Sequence, residues 1–185
     1  MRSMGVIWIA AWIAAAALSV VLPAFGADAI TWGSTSNGIR LGISFGPISS
    51  EPELRVFIQN VSSTTQEILI GHQVGKGIAV ALKFIATARD GKEREGFEIN
   101  SFTPISGLVL PAVIRLGPGA THELRFPLKK IICIERPGDV TFETLVAQRS
   151  SVRVSLETDD KSAKWAGLSS PWIGKMTSGE LSPIR

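Results

Sequence analysis

The chain has 185 residues, with one Cys, two His and no Tyr. Its mean hydropathy of +0.25 is high for a soluble protein, and the excess lies at the start, where 20 of the first 26 residues are apolar. Beyond Arg2 the chain carries 18 Lys and Arg against 16 Asp and Glu, well mixed in sign. These features exclude a polytopic membrane protein, a disulfide-stabilised scaffold, a cysteine-based zinc site, a disordered chain and a basic nucleic-acid-binding surface.

The first 26 residues have the layout of a secretory signal peptide. Arg2 precedes an uncharged apolar core, Pro23 breaks it, and Ala24 and Gly26 put small residues at the −3 and −1 positions of a cut before Ala27. The alternative is an uncleaved signal anchor, since the apolar core is near the lower length limit for spanning a bilayer. We therefore expect a secreted, periplasmic or cell-envelope protein that has no membrane segment beyond the leader unless the leader is kept.

The body, residues 27–158, shows the alternation of half-buried strands. Apolar side chains recur at every second position in four runs, and Asp90-Gly91 separates two extended runs in the manner of a hairpin turn. The four runs are 39–45, 54–59, 122–128 and 152–156. A strand over Gln66–Ile70 that ends at Gly71 is also expected, whereas 101–118, rich in Pro and Gly, is expected to be mainly loop.

Seven or eight strands are predicted in all, with at most one short helix near residues 140–148 that begins after Asp139. Many short strands separated by turns indicate an all-β chain, and we predict an antiparallel Ig-like β-sandwich. A jelly roll and a small barrel are the alternatives. Residues 159–185 are predicted to be a polar C-terminal tail that could pack back on the domain. Cys133, in an apolar run, is predicted to be a small buried residue.

Several short motifs resemble those of exported bacterial Ig-like modules, of the kind found in planctomycete-like secreted or envelope proteins. The first set, over about residues 31–128, comprises Trp32-Gly33, Asn37-Gly38-Ile39-Arg40-Leu41, Asn60-Val61-Ser62 and Leu116-Gly117-Pro118-Gly119. The second comprises Pro171-Trp172-Ile173-Gly174 and Ser178-Gly179. The resemblance implies a mostly non-catalytic module and carries no functional residue with it. Intracellular-proteinase-inhibitor-like domains share the same general layout.

Enzymatic chemistry finds little support in the residue types present. His72 and His122 are the only histidines, and a metal site built on them with nearby carboxylates is less plausible than ordinary surface or turn histidines. The chain has no Gly-x-Ser-x-Gly motif for a serine hydrolase. Glu93 and Glu95 share a strand face, but beside a hairpin turn they indicate a solvated surface. We predict no enzyme activity, no metal and no cofactor.

Candidate binding residues lie in a glycine-rich segment and among the tryptophans. The segment 71–77 is one residue short of a Walker spacing and is interpreted as a mobile loop that could bind a partner through His72, Gln73 and Lys76. Trp165 or Trp172 is expected to pack the tail on the core; the alternative is that the two form an exposed aromatic pair that binds sugar or a protein partner. Trp32 is expected to close one end of the core.

The sequence therefore predicts an exported, non-enzymatic binding or envelope-associated module, whose partner is a protein or glycan of the cell envelope. A protease-inhibitor-like module is the alternative, and it would show one long projecting loop at 71–78 or 101–118. A hydrolase or metal-dependent enzyme is the third hypothesis. Asn60-Val61-Ser62 also fits the N-glycosylation pattern.

Overall fold

The computed structural model describes residues 29–46, 51–74, 77–88, 90–98, 109–135, 138–147 and 150–182. The predicted signal peptide lies outside these ranges. No helix among the described residues is both long and apolar enough to cross a membrane.

Thirteen strands and two α-helices form within these ranges. The strands are β1 (Thr31–Trp32), β2 (Ile39–Phe45), β3 (Glu53–Asn60), β4 (Gln66–Val74), β5 (Gly77–Val80), β6 (Lys83–Thr87), β7 (Glu93–Glu98), β8 (Leu110–Leu116), β9 (Thr121–Pro127), β10 (Ile131–Glu135), β11 (Gly138–Thr141), β12 (Ser151–Thr158) and β13 (Gly174–Thr177). The helices are α1 (Phe142–Ala147) and α2 (Asp160–Trp165), and a 3-10 turn at Leu128–Lys130 joins β9 to β10.

The strands form three sheets in which every paired neighbour is antiparallel. The first sheet has the order β1-β2-β3-β9, the second β11-β10-β7-β6-β12-β13, and the third β5-β4-β8. This confirms the predicted antiparallel all-β class, in a sandwich-like arrangement. The Ig-like order of connections stays a prediction.

Alternation along β2 and β3 explains how the first sheet covers the core. The two strands pair over seven residues, and β3 lies between β2 and β9. The side chains on one face are fully buried, and they are those of Ile39, Leu41, Ile43, Leu54, Val56 and Ile58. The period of two in the sequence therefore identifies the buried face of these strands correctly.

One aromatic side chain joins the layers at the centre of the core. Phe84, on β6 of the second sheet, lies edge-on to Phe126 on β9 at 5.0 Å between ring centroids and to Phe142 on α1 at 6.1 Å. Each such pair contributes about 0.5–1.5 kcal/mol beyond the area that it buries. Cys133 on β10 is only 1% exposed, which confirms its prediction as a small buried residue.

The Asp-Gly hairpin is confirmed. β6 and β7 pair from Thr87 opposite Glu93, and Gly91 adopts a φ of +80° that favours glycine. The side chain of Asp90 accepts a hydrogen bond from the backbone N–H of Lys92 at 3.1 Å, which fixes the turn. The second extended run is β7, which is described as far as Glu98.

The predicted number of elements was too low. Four of the strands, β1, β5, β11 and β13, have only two to four residues, too few to show an alternating pattern. The second helix, α2, was also missed, although Asp159 caps it by accepting a hydrogen bond from the backbone N–H of Ser162 at 2.7 Å.

The segment 101–118 is not all loop. Residues 101–108 lie outside the described ranges, but β8 occupies Leu110–Leu116 in spite of Pro111. β8 is an edge strand of the third sheet, where proline is tolerated because only one side of the strand is paired. The prediction that this segment is mainly loop is therefore wrong for Leu110–Leu116, which form an edge strand that tolerates proline.

The predicted helix near 140–148 exists with a later start. α1 runs from Phe142 to Ala147, and Asp139, after which the helix was expected to begin, lies in β11 opposite Ile134. Phe142 and Leu145, three residues apart on one face of the helix, are both buried.

The C-terminal segment is an integral part of the fold. β13 pairs with β12, Leu181 forms a bridge with Val152, and Trp172 is 1% exposed within the core. Residues 159–182 therefore pack back on the domain, as the sequence analysis allowed. Trp32 does not close the core, since its ring lies over Gly42, on the opposite face of β2 from Leu41.

Trp172 and Trp165 offer a matched test of the packing. We expect Trp172→Ala to lower the free energy of unfolding by about 3–5 kcal/mol, because it empties a large buried site. Trp165→Ala, at a position 53% exposed, is expected to cost under about 1 kcal/mol. Urea unfolding of both variants measures the difference, and equal losses would contradict the arrangement.

Candidate functional site

The segment predicted to be a mobile loop is a β-hairpin. β4 continues through Gly71 to Val74, past a register shift between Leu69 and Gly71, and pairs with β5. Gly71 permits this because a Cβ there would lie 2.0 Å from the carbonyl oxygen of Ala79. The predicted end of the strand at Gly71 is therefore wrong. Lys76 lies outside the described residues.

An exposed row of side chains crosses the end of the third sheet. Gln73 on β4 is opposite Ile78 on β5 and opposite Leu110 on β8. Ile78 and Leu110 are each 45% exposed, and Gln73 between them is exposed as well. We call these three residues the tip row. Two large aliphatic side chains beside one amide in a continuous row form a surface that a partner protein could cover.

His72 belongs to the other face of the hairpin. It is half-buried and lies opposite Ala79 and Pro111, one residue along from the tip row. Because adjacent residues of a strand point to opposite faces, His72 and Gln73 do not form one surface. His122 lies on β9 of the first sheet, opposite Ile58. Within the described residues no three His, Cys, Asp or Glu side chains form a group suited to a metal ion.

The paired carboxylates of β7 lie on its exposed face. The side chains of Glu93 and Glu95 are both solvent-exposed, and the Glu93 carboxylate forms an ion pair with Arg153 of β12. An exposed ion pair of this kind contributes little to stability. Glu93 and Glu95 lie on an open strand face, and one of the two carboxylates is engaged in an ion pair. This fits the interpretation of the pair as part of a solvated surface.

The two C-terminal tryptophans have different environments. Trp172 is buried, and its indole Nε1–H donates to the carbonyl oxygen of Ser36 at 2.8 Å. Trp172 therefore packs the C-terminal segment on the core, the first of the two roles expected of it, and its ring is not exposed to a surface partner. Trp165, at the end of α2, is 53% exposed, and stands alone as the remaining aromatic candidate.

Glu67 fastens the C-terminal segment to β4. Its carboxylate accepts hydrogen bonds from the backbone N–H groups of Ser169 at 2.8 Å and Ser170 at 2.9 Å. The N–H groups of Ser170 and Ser169 favour the charged carboxylate and hold the pKa of Glu67 below its usual value. The backbone of Glu67 also pairs with Ser170 and Trp172. The sequence pattern gave no sign of this role, since the partners lie about a hundred residues away.

Asn60 has a structural role that its glycosylation motif does not suggest. Its side chain is fully buried, and its amide donates to the carbonyl oxygens of Thr64 at 2.7 Å and Leu116 at 2.9 Å. Its carbonyl oxygen accepts hydrogen bonds from the backbone N–H and hydroxyl of Ser62. With both groups engaged in the interior, this carboxamide could not carry a glycan in the present fold.

Sequence analysis missed a groove between the two ends of the described chain. Residues 32–36 form one side and residues 175–179 the other, around a volume of about 500 Å³. The Asn37-Gly38 pair is a typical turn sequence, and in the structure both residues have positive φ angles, +46° and +80°. This pair could have located the 32–36 side of the groove from the sequence. The 175–179 side belongs to the predicted C-terminal tail.

The network around Asn60 can be tested by two neighbouring substitutions. We expect Asn60→Ala to lower the free energy of unfolding by about 1–3 kcal/mol, because buried carbonyl groups lose their donor. Ser62→Ala removes a half-buried hydroxyl beside it and is expected to cost less. Urea unfolding compares them, and a larger loss from Ser62→Ala would contradict the assigned roles.

The Glu67 contact predicts a pH-dependent stability. Because the pKa is lowered in the folded state, the folded protein takes up the proton less readily than the unfolded chain, and acid removes the stabilisation. We expect Glu67→Gln to be less stable than the wild type at neutral pH. The difference should shrink below the ordinary value of 4.5, as the pH falls through the lowered pKa. Denaturant unfolding across an acid series tests this, and a pH-independent difference would refute it.

No protein-family model matches the chain, and neither a curated protein nor a solved structure is found to match it. The resemblance to exported Ig-like modules therefore stays a prediction, and function is argued from the geometry of the described residues.

Proposed function

We propose that this chain is an exported, non-enzymatic binding module of the cell envelope, and that it binds a protein partner through the tip row. The observation that carries the proposal is the continuous exposure of Ile78, Gln73 and Leu110 across three paired strands. The leader pattern of residues 1–26 supports export.

The chemistry of the tip row favours a protein over a glycan. Ile78 and Leu110 offer aliphatic surface, whose burial contributes about 25 cal/mol per Å². Sugars are usually held by aromatic faces and clustered polar groups, and the tip row has no aromatic side chain. Gln73, between the two, can both donate and accept a hydrogen bond, which would fix the orientation of a polypeptide partner.

The position of the row also favours binding. The hairpin of β4 and β5 is held by paired backbone groups on both sides of β4, so the row is presented on a regular sheet. A surface that is already ordered loses less conformational entropy on binding than a mobile loop would.

The protease-inhibitor-like alternative has less support. It required a long projecting loop at 71–78 or 101–118. The first segment consists mainly of the paired strands β4 and β5, and the second contains β8. No contact among the described residues favours the hydrolase or metal-dependent alternative.

The test compares the tip row with an equally exposed apolar residue elsewhere. Residues 27–185 are immobilised and exposed to solubilised envelope proteins of the source cell, and any captured protein is purified and its affinity is measured. We expect Ile78→Ser with Leu110→Ser to weaken binding at least about tenfold, as the loss of central apolar contacts does. Val61→Ser, at a position 44% exposed, should leave the affinity unchanged.

Two outcomes would contradict the proposal. One is that no defined protein binds above background. The other is that the double variant and Val61→Ser bind a purified partner equally well. Thermal melting of each variant shows beforehand that the exposed substitutions leave the fold intact.

A further inference from the structure

Residues 33–37, which follow β1 of the first sheet, lie along the edge strand β13 of the second sheet. We call this line of contact the seam. At one end Gly33 lies so close to β13 that a Cβ on it would be 1.8 Å from the carbonyl oxygen of Thr177. At the other end the Trp172 indole donates to the Ser36 carbonyl at 2.8 Å, and Asn37 Nδ2 donates to the carbonyl oxygen of Ile173 at 2.7 Å. Both ends of the seam are therefore closed by direct contact.

Between these contacts the seam opens into the groove of about 500 Å³. Its walls carry many hydroxyl groups and one charge. The polar side chains that line it are those of Ser34, Thr35, Ser36, Lys175, Thr177 and Ser178. No carboxylate is among the described residues that line the groove. A cavity of this size and polarity fits a small ligand that has many hydrogen-bonding groups.

Backbone groups of β13 also face the groove. The Ser178 N–H donates to the carbonyl oxygen of Val154 on β12 at 2.8 Å. Because hydrogen-bonded pairs alternate along an antiparallel ladder, the N–H and C=O groups of Lys175 and Thr177 point away from β12, on the side of the groove, where the Thr177 carbonyl lies against Gly33. They add donors and acceptors that no strand of the second sheet satisfies, since β13 is its edge.

The opposite wall has unused hydrogen-bonding groups as well. Ser34 and Thr35 are exposed, and within the described part of the chain neither their backbone nor their hydroxyl groups take part in a hydrogen bond. Their neighbours on both sides are engaged, since the Gly33 N–H donates to Leu41 and the Ser36 N–H to Ile39. Groups on both walls thus face a shared space without contacting each other, and only water or a ligand could satisfy them.

Trp32 lines the groove, and its ring is held against the first sheet. The ring lies over Gly42, and the guanidinium of Arg40 lies 4.3 Å from the ring centroid. The hydroxyl groups and Lys175 of the lining add hydrogen bonds and one charge for recognition. The one charged group in the lining, Lys175, has only a loose exposed pair with Glu157 at 4.0 Å, which an anionic ligand could displace at small cost.

We propose that this groove binds a single sugar unit that carries a carboxylate, of the uronic-acid type. The hydroxyls of Ser34, Thr35 and Thr177 and the edge groups of β13 can donate to and accept from the sugar hydroxyls. The Lys175 ammonium pairs with the carboxylate. An extended peptide fits less well, because the contacts at Gly33 and Ser36 block a strand from running through the groove. This site is separate from the tip row and goes beyond the proposed function.

Titration calorimetry of residues 27–185 with glucuronate, glucose and acetate tests the proposal. We expect glucuronate to bind more tightly than glucose, and acetate to show no measurable binding. Lys175→Met should weaken glucuronate binding about tenfold, as the loss of a charge-assisted hydrogen bond does, and leave glucose unaffected. Lys164→Met, which removes an exposed lysine of α2, is the matched control and should change neither affinity. Thr35→Phe, an exposed substitution that fills the groove, should abolish binding of both sugars.

Each other result overturns the proposal. If acetate bound as tightly as glucuronate, the groove would be a simple anion site. If glucose bound as tightly as glucuronate, Lys175 would have no role in recognition. Absence of glucuronate binding, or binding that Thr35→Phe leaves intact, would show that the groove holds no sugar. None of these results bears on partner binding at the tip row, whose test uses different residues and a protein ligand.

Discussion

Trp172 enters the core from the C-terminal segment, and its burial brings the two walls of the groove together. The side chain is 1% exposed, and its indole N–H reaches the carbonyl of Ser36 near the start of the described chain. Burying an indole contributes several kcal/mol when its polar N–H also finds a partner. This contact draws the two ends of the described chain together and brings β13 beside residues 33–36.

The Glu67 contact extends the same docking to the third sheet. The Ser169 and Ser170 N–H groups converge on one carboxylate, while the Glu67 backbone pairs with Ser170 and Trp172. Such a contact costs little conformational entropy, since the two donors are adjacent in the chain. The C-terminal segment thus contacts all three sheets. It forms a strand of the second, binds the first through Ser36, and is held to β4 of the third.

The outer face of the first sheet shows what a solvated surface of this protein looks like. Arg55 pairs with Glu53 at 3.0 Å, and Arg125 pairs with Glu123 at 2.8 Å, on neighbouring strands. All four side chains are partly exposed, and pairs of this kind contribute little to stability. The charges there satisfy one another. The tip row and the groove differ, because the first exposes aliphatic side chains and the second exposes hydrogen-bonding groups without internal partners.

The sequence by itself determined the strand class, the buried face of the long strands and the Asp90-Gly91 hairpin. These features depend on side-chain alternation and turn chemistry, which act over a few residues. Only the tertiary structure decided that Trp172 is buried, that Gln73 lies between Ile78 and Leu110, and that β13 completes the second sheet. Each of these joins segments distant in sequence, and β1, β5 and β13 are too short to show a period. A local pattern records which face of a strand is apolar, whereas the partner that covers that face is set by how the whole chain packs.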